Sequence, residues 1–213
     1  MKDLPAAALT ATIWAYWLCV GVMIVRVRRK TRKHPGVVPQ QRLERLMWLV
    51  WVPLVAAWLA LPYLAATRGA AQWSVPDFAR GSSWTAVRWA AAAVAVVCLA
   101  LSIECWARMG SRWRMAVVPG ERTELVTGGL YARIRHPIYA LSITLMACSA
   151  VVVPTLPMLA VAATHVCLML IKARNEEAFL YGVHGEVYAR YCGRTGRFFP
   201  RSARRAATTG REG

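Results

Sequence analysis

Five apolar runs, each close to bilayer-crossing length, constrain this chain more than any other feature. A hydrocarbon core about 30 Å thick is crossed by about 20 mostly apolar helical residues. Residues 9–25 (LTATIWAYWLCVGVMIV) carry no charge and stop at a basic cluster beginning with Arg26. Residues 46–66 (LMWLVWVPLVAAWLALPYLAA) form the second run, with Pro53 and Pro62 inside it. Proline is tolerated in membrane helices when neighbours satisfy the freed carbonyls, so a kinked helix is expected there rather than two helices. Residues 85–106 form the third, with Arg88 near one end and Glu104 near the other. Residues 137–153 and 155–173 are separated only by Pro154, which makes them the arms of a helical hairpin.

The charge lies between these runs. The 213 residues are 57% hydrophobic yet carry a formal net charge of +17. A disordered polycation would be far less apolar, and runs this long do not suit a soluble nucleic-acid binder; no nucleic-acid partner is expected. Eight Lys or Arg fall in 26–45, six in 107–136 and nine from Lys172 onward, whereas 67–84 has only Arg68 and Arg80. Basic loops stay cytoplasmic. The expectation is an all-α, multi-pass integral membrane protein with about five transmembrane helices. The amino terminus is outside, and the carboxyl terminus is inside, at the cytoplasmic membrane if the source is bacterial. Anionic lipid head groups are the expected partners of the basic loops, and the whole of 1–213 reads as a single polytopic domain with a basic, flexible tail at 201–213. Trp48, Trp73, Trp84, Trp106 and Trp113 fall near the predicted interfaces. Lys2 is a weak start for a signal peptide, and the strong basic cluster follows the apolar run, so none is expected.

Cys19, Cys98, Cys105, Cys148 and Cys167 lie within spans and read as small buried apolar residues. Cys192 lies outside any CxxC spacing, so neither a disulfide framework nor a metal site is expected. Phosphate-binding glycine loops are absent.

Two stretches carry candidate chemistry. Residues 126–140, VTGGLYARIRHPIYA, set two glycines, two tyrosines, two arginines, a histidine and a proline beside a membrane helix. Gly128-Gly129 allows close backbone approach to a ligand, and Pro137 suits a first helical turn. The helix amino terminus offers free donors and partial positive charge, with Arg133, Arg135 and His136 beside it. The plainer reading is a basic loop against anionic lipid, with Tyr131 and Tyr139 as interface anchors. The second stretch runs from Lys172-Ala173-Arg174-Asn175-Glu176-Glu177 to Pro200. Phe179, Val183, Val187 and Tyr191 recur every fourth residue and predict one amphipathic helix on the cytoplasmic face. Glu176 and Glu177 read either as a helix-end pair with Lys172 and Arg174 or as acids for a ligand ammonium or an arginine. Polar residues eligible for a path within the membrane are few: His165, Ser142, Thr144 and Thr164. His165 is expected to make a helix–helix hydrogen bond, and Glu104 to pair with Arg108 one turn on.

Taken in order, Tyr131-x-x-x-Arg135-His136-Pro137-x-Tyr139, an apolar hairpin, Glu176-Glu177-x-x-Leu180, His184-Gly185-x-x-Tyr188-x-x-Tyr191 and Arg197-x-x-Pro200 resemble the isoprenylcysteine carboxyl methyltransferase family. Phospholipid N-methyltransferases and small bacterial membrane methyltransferases are its relatives. The resemblance covers roughly 85–200, which would be the catalytic core. It departs at Leu130, Ala140 and His184, where relatives commonly have proline, glycine and phenylalanine.

The resemblance implies S-adenosyl-L-methionine as cofactor, held by Gly129, Leu130, Tyr131, Arg135, His136, Pro137, Tyr139, Glu176 and Glu177. It also implies Arg174 and Glu177 as catalytic groups and Tyr188 and Arg190 on the acceptor side, with no metal. A lipophilic acceptor, isoprenylcysteine carboxylate-like, would come from the bilayer. A phospholipid, small amine or thiol acceptor is the alternative. Membrane sterol reductases share the architecture but typically have asparagine at the place of Ile138 and lack a histidine at that of His136. Methyl transfer is therefore expected over NADPH-dependent reduction, and a non-enzymatic membrane protein is the third class.

Overall fold

The computed structural model describes residues 3–32, 36–67, 75–118 and 124–201. Lys33, Arg68, Trp73 and the basic tail from residue 202 lie outside the described residues. Six helices follow one another: α1 Leu4–Thr31, α2 Arg42–Thr67, α3 Ser82–Met109, α4 Pro137–Val152, α5 Leu156–His184 and α6 Glu186–Arg194. Short 3-10 turns occupy Asp77–Arg80, Gly110–Arg112 and Gly129–Ala132. Among the described residues the only strand-like pairing is a parallel bridge between Ile134 and Gly196.

The helix ends follow from their sequences. Asp3 caps α1 by accepting from Ala6 N at 3.0 Å. Thr155 caps α5 in the same way, accepting from Met158 N, so Pro154-Thr155 is a true break between the hairpin arms. Gly185, at φ 51°, ends α5 with its N–H on Tyr181 O, a conformation glycine adopts without steric cost. α2 runs unbroken through Pro53 and Pro62, as expected of a kinked membrane helix.

α1, α2, α3 and α5 are long and apolar enough to cross a membrane, which makes this an integral membrane protein by length and composition. α4 is the exception. Its 16 residues span about 24 Å at 1.5 Å each, short of the hydrocarbon thickness. It survives as a short element because it packs chiefly on α3 and also on α5. The five-span expectation thus reduces to four helices of full length and one short apolar helix. α5 differs in the other direction. Its 29 residues run about 43 Å, so its charged end from Lys172 onward projects past the apolar stretch that ends at Ile171.

The core is aromatic. Tyr16, Trp58 and Trp106 are all buried, with ring centroids 6.2 Å apart for Tyr16–Trp58 and 5.1 Å for Tyr16–Trp106. Trp58 Nε1 donates to Ser149 Oγ at 3.0 Å, joining α2 to α4. Ser142 Oγ and His165 Nε2 lie 2.9 Å apart, the helix–helix hydrogen bond expected of His165. Leu18, Leu46, Leu49, Val97 and Leu159 point outward, the surface of helices that face lipid. Trp106 and Trp113 are buried, Trp106 against the Tyr16 ring of α1. Glu104 pairs with Arg108 as expected, Oε1 to Nε at 2.9 Å. All six cysteines are free; Cys167 is exposed and Cys19 half-buried, so these two are not buried core residues.

Candidate functional site

The basic ends of the helices surround a pocket whose walls come from distant parts of the chain. Tyr131, Arg135, His136 and Tyr139 from the loop and start of α4 line it, with Lys172, Glu176, Phe179 and Leu180 of α5 and Tyr188 and Tyr191 of α6.

The RHPxY segment is shaped from both sides. Pro137 opens α4 in its first turn, and His136 is the residue before it. The loop strand is pinned to the C-terminal segment by three backbone hydrogen bonds: Gly196 N to Arg133 O at 3.1 Å, Arg135 N to Gly196 O at 2.8 Å and His136 N to Arg197 O at 3.0 Å. Tyr191 Oη adds a fourth tie, donating to Tyr131 O at 2.6 Å. The C-terminal segment therefore holds the loop in place.

Glu177 is the hub. Arg135 Nε donates to its Oε1 at 3.0 Å. Arg197 donates from Nε to both carboxylate oxygens, at 3.0 and 3.1 Å, and from Nη2 to Oε2. His136 Nε2 stands 3.3 Å from Oε1 without hydrogen-bond alignment. Burial alone would push the Glu177 carboxyl up. The close contacts of His136, Arg197 and Arg135 and the charge of Arg135 outweigh it and hold the group well below the usual carboxylate range. Glu177 is thus a permanent anion committed to three loop and tail groups.

Its neighbour is placed differently. Glu176 Oε2 accepts from Tyr139 Oη at 2.8 Å and lies 3.7 Å from His136 Nδ1. The rings of His136 and Tyr139 stack with centroids 5.3 Å apart and 3° between planes. Glu176 lines the pocket while Glu177 does not. Two buried polar atoms of lining residues, Tyr131 Oη and His136 Nε2, have no hydrogen-bond partner. Burial raises the Tyr131 phenol far above its usual value, so it stays protonated as a donor.

Of the residues expected at the site, Tyr131, Arg135, His136, Tyr139, Glu176 and Tyr188 come together around the pocket, with Pro137 and Glu177 immediately behind. Tyr188 is buried, its ring edge-on to Tyr181 at 4.9 Å. Arg174 and Arg190 are exposed and do not line the pocket. Leu130 and Gly129 also stand outside its lining, and Arg133 is exposed. Gly129 serves geometry: φ is 65°, and an added Cβ would stand 2.5 Å from Arg108 Nε. Gly129→Ala is expected to cost about 1–2 kcal/mol from the left-handed backbone alone, read as a lowered thermal midpoint in detergent; an unchanged midpoint would refute this reading of the turn.

The single amphipathic helix expected through Phe179 and Tyr191 is two helices. Gly185 breaks it, leaving Phe179 and Val183 on α5 and Val187 and Tyr191 on α6, with Val187 exposed. A period of four residues cannot show a break whose cause is one backbone torsion.

Three residues that the structure brings to the site were missed by sequence reasoning. Arg197 was noted only as part of a terminal pattern, yet it makes the densest contacts to Glu177. Glu44 of α2 and Arg114 line the pocket from segments that carry no motif. An isolated acid just before an apolar run was the one available signal for Glu44.

An apolar cavity adjoins the polar pocket. It shares Arg114, Met115, Tyr139 and Lys172 with it and continues between the helices past Trp17, Trp51 and Trp106. The arrangement offers one polar compartment and one apolar compartment meeting at Tyr139 and Lys172.

Residues 90–181 match the family model described as the isoprenylcysteine carboxyl methyltransferase (ICMT) family. The match runs from within α3 to Tyr181 in the last turn of α5 and contains the RHPxY segment and both glutamates. Among curated proteins, none matches the chain.

Proposed function

We propose that the chain is a membrane methyltransferase akin to the family whose model residues 90–181 match, and that it uses S-adenosyl-L-methionine to methylate a lipophilic acceptor, isoprenylcysteine carboxylate-like in its chemistry. The observation that supports this most directly is the pocket itself. It gathers the RHPxY side chains and Glu176 on one wall and opens onto an apolar cavity between helices.

The residues present suit the cofactor. Glu176 has carboxylate capacity beyond its bond to Tyr139 and is the group for an ammonium. Tyr131 Oη is an orphaned polar atom that a polar ligand would satisfy. When bound, the cofactor supplies an electrophilic methyl group on a sulfonium. The chain's own contribution is orientation, exclusion of water and a field suited to charge cancellation.

His136 and Tyr139, stacked and tied to Glu176, form a rigid wall. Glu177 keeps Arg135 and Arg197 in place behind it, so these arginines position the loop. A carboxylate acceptor is ionised near neutral pH and needs no base; besides Arg135, which Glu177 holds, the cations lining the pocket are Lys172, Arg112 and Arg114. On this reading 85–200 is the catalytic core, and the basic face with its pocket is cytoplasmic, where basic loops and anionic lipid head groups meet.

Isothermal titration of the purified protein with S-adenosylhomocysteine tests the proposal. Binding that His136→Ala weakens at least tenfold is the expected result. Binding of NADPH without S-adenosylhomocysteine would indicate a reductase, and binding of neither would indicate a non-enzymatic protein.

A further inference from the structure

Phe199 is 80% exposed, and it stands at the basic end of the bundle rather than on a lipid-facing helix. It belongs to a tight turn that follows α6. A side chain at Gly196 would collide with Phe199 O, and Arg201 Nη1 donates back to Gly193 O at 2.6 Å and Cys192 O at 3.3 Å. Three exposed guanidinium groups surround the turn in the chain: Arg194 at the end of α6, Arg201 after the turn, and Arg133 on the loop strand, whose carbonyl accepts from Gly196 N. Among the described residues none of the three makes an ion pair, and residues 187–201 contain no Asp or Glu.

The partners of the turn fix its level against a bilayer. Arg197 O accepts from His136 N, one residue before α4 begins its apolar run. Arg197 also grips Glu177, which lies past Ile171, where the apolar stretch of α5 ends. That interval rises about 9 Å at 1.5 Å per residue, close to the roughly 5–8 Å of head groups on each side of the hydrocarbon. The turn therefore lies at the membrane surface. There an aromatic ring gains by entering the interface, and a guanidinium by meeting the phosphates of anionic lipid.

The turn is also continuous with the pocket wall. Between Gly196 and Phe199 come Arg197, held by Glu177, and Phe198, whose ring centroid is 6.2 Å from that of His136. Arg135 N and His136 N donate to Gly196 O and Arg197 O. Anything that holds residues 196–199 in place therefore holds Arg135 and His136 in place. By linkage, a ligand that needs the ordered loop favours the held turn to the same degree.

We propose that the turn 195–201, with Arg133 and Arg194, is a docking surface for anionic lipid, and that its occupation tightens binding at the pocket. Phe199 sits among the head groups and the guanidinium groups sit on lipid phosphates. The docking is independent of what the pocket binds; its coupling to S-adenosyl ligands rests on the methyltransferase reading above.

Fluorine NMR of the full chain in phosphatidylglycerol discs, with 4-trifluoromethylphenylalanine placed at position 199, tests the docking. A spin label on the lipid acyl chain near the head group should broaden the signal, and a water-soluble gadolinium chelate should leave it sharp. Broadening by the chelate alone overturns the proposal, because the ring then stands in water. A signal that neither reagent reaches overturns it too, because protein then covers the ring.

Titration with S-adenosylhomocysteine in phosphatidylglycerol and in phosphatidylcholine discs tests the coupling. Wild type should bind at least about fivefold tighter in phosphatidylglycerol, the lower range of coupling between two sites. Phe199→Ser, and separately the pair Arg133→Gln and Arg194→Gln, should remove that difference. Their affinity in phosphatidylcholine should stay within about twofold of wild type, as surface changes leave it. Equal wild-type affinity in the two lipids, or a difference that survives both variants, overturns the proposal. So does a loss of affinity in both lipids alike, which would make the turn a structural support only. Wild type that binds S-adenosylhomocysteine in neither lipid defeats the methyltransferase reading and the coupling with it, and the fluorine signal then decides the docking alone.

Discussion

Glu177→Ala is expected to destabilise the protein by about 3–5 kcal/mol, the usual penalty for removing one partner of a buried ion pair, and to weaken S-adenosylhomocysteine binding at least tenfold. The physical reason is the geometry of its contacts. One carboxylate holds Arg135 on the loop before α4 and Arg197 on the C-terminal segment, and both are attached to the backbone that carries His136. Without Glu177, two guanidinium groups compete for carbonyls and water in a largely enclosed space. If half of the penalty falls on the loop, the pocket loses more than the 1.4 kcal/mol that corresponds to tenfold in affinity. Glu177→Gln keeps the shape and should show the charge component alone.

Thermal unfolding in detergent and titration calorimetry read the two effects. An unchanged midpoint together with unchanged affinity would show that Glu177 is not the hub. The pH dependence has a definite sign. A carboxyl held below its ordinary value of 4.5 stabilises fully above that pH, and the contribution disappears as pH falls through the depressed folded value. Stability between pH 6 and 8 should therefore not change on account of Glu177.

Arg88→Ala should be comparably costly, about 3–5 kcal/mol, without touching the pocket. Arg88 is 3% exposed in α3. Its Nε donates to Val152 O at 2.7 Å, and its Nη2 reaches both oxygens of Asp3 at 2.6 Å. Asp3 in turn caps α1. One side chain thus ties the start of α1, α3 and the end of α4 together at the end of the bundle away from the pocket.

Removing it leaves the Asp3 carboxylate and the last carbonyl of α4 without their partner in a dry place. Arg88→Lys should recover part of the loss, because an ammonium keeps the charge but cannot fork between two acceptors. The expected signature is a large drop in midpoint with S-adenosylhomocysteine affinity within twofold. Equal losses in both, or in neither, would show that the two ends of the bundle are not independent or that the clamp carries no weight. A double-mutant cycle with Asp3→Asn isolates the pair.

Much of the frame was legible before any coordinates. The apolar runs at 9–25, 46–66 and 85–106 became α1, α2 and α3 with longer ends, since caps and charged turns extend a helix past its apolar stretch. Pro137 marked the start of α4, and Pro154-Thr155 the hairpin break, because proline and a capping hydroxyl act locally. His165 with Ser142 and Glu104 with Arg108 were equally readable, each being a local or single-partner decision.

The site was legible only in part. His136, Tyr139 and Glu176 were implied by the family resemblance that their order around a hairpin carries, but the division of labour between the two glutamates was not. Adjacent helical residues point about 100° apart, so Glu176 faces the pocket and Glu177 faces the loop. Which is which depends on the rotation of α5 against α4. The choice of arginine depended on the same rotation: Arg174 is near the acids in sequence and exposed in space, while Arg197, twenty residues away, reaches Glu177 because Gly185 turns the chain back.

The sequence alone therefore determined a helical membrane protein, its long apolar helices and the break in its hairpin, because apolar length, caps and breakers act over a few residues. The tertiary structure alone decided that Glu177 is a hub and Glu176 a wall of the pocket, and that Glu44 lines the pocket. These facts are relations between helices, and helix rotation and packing are set by the whole bundle at once.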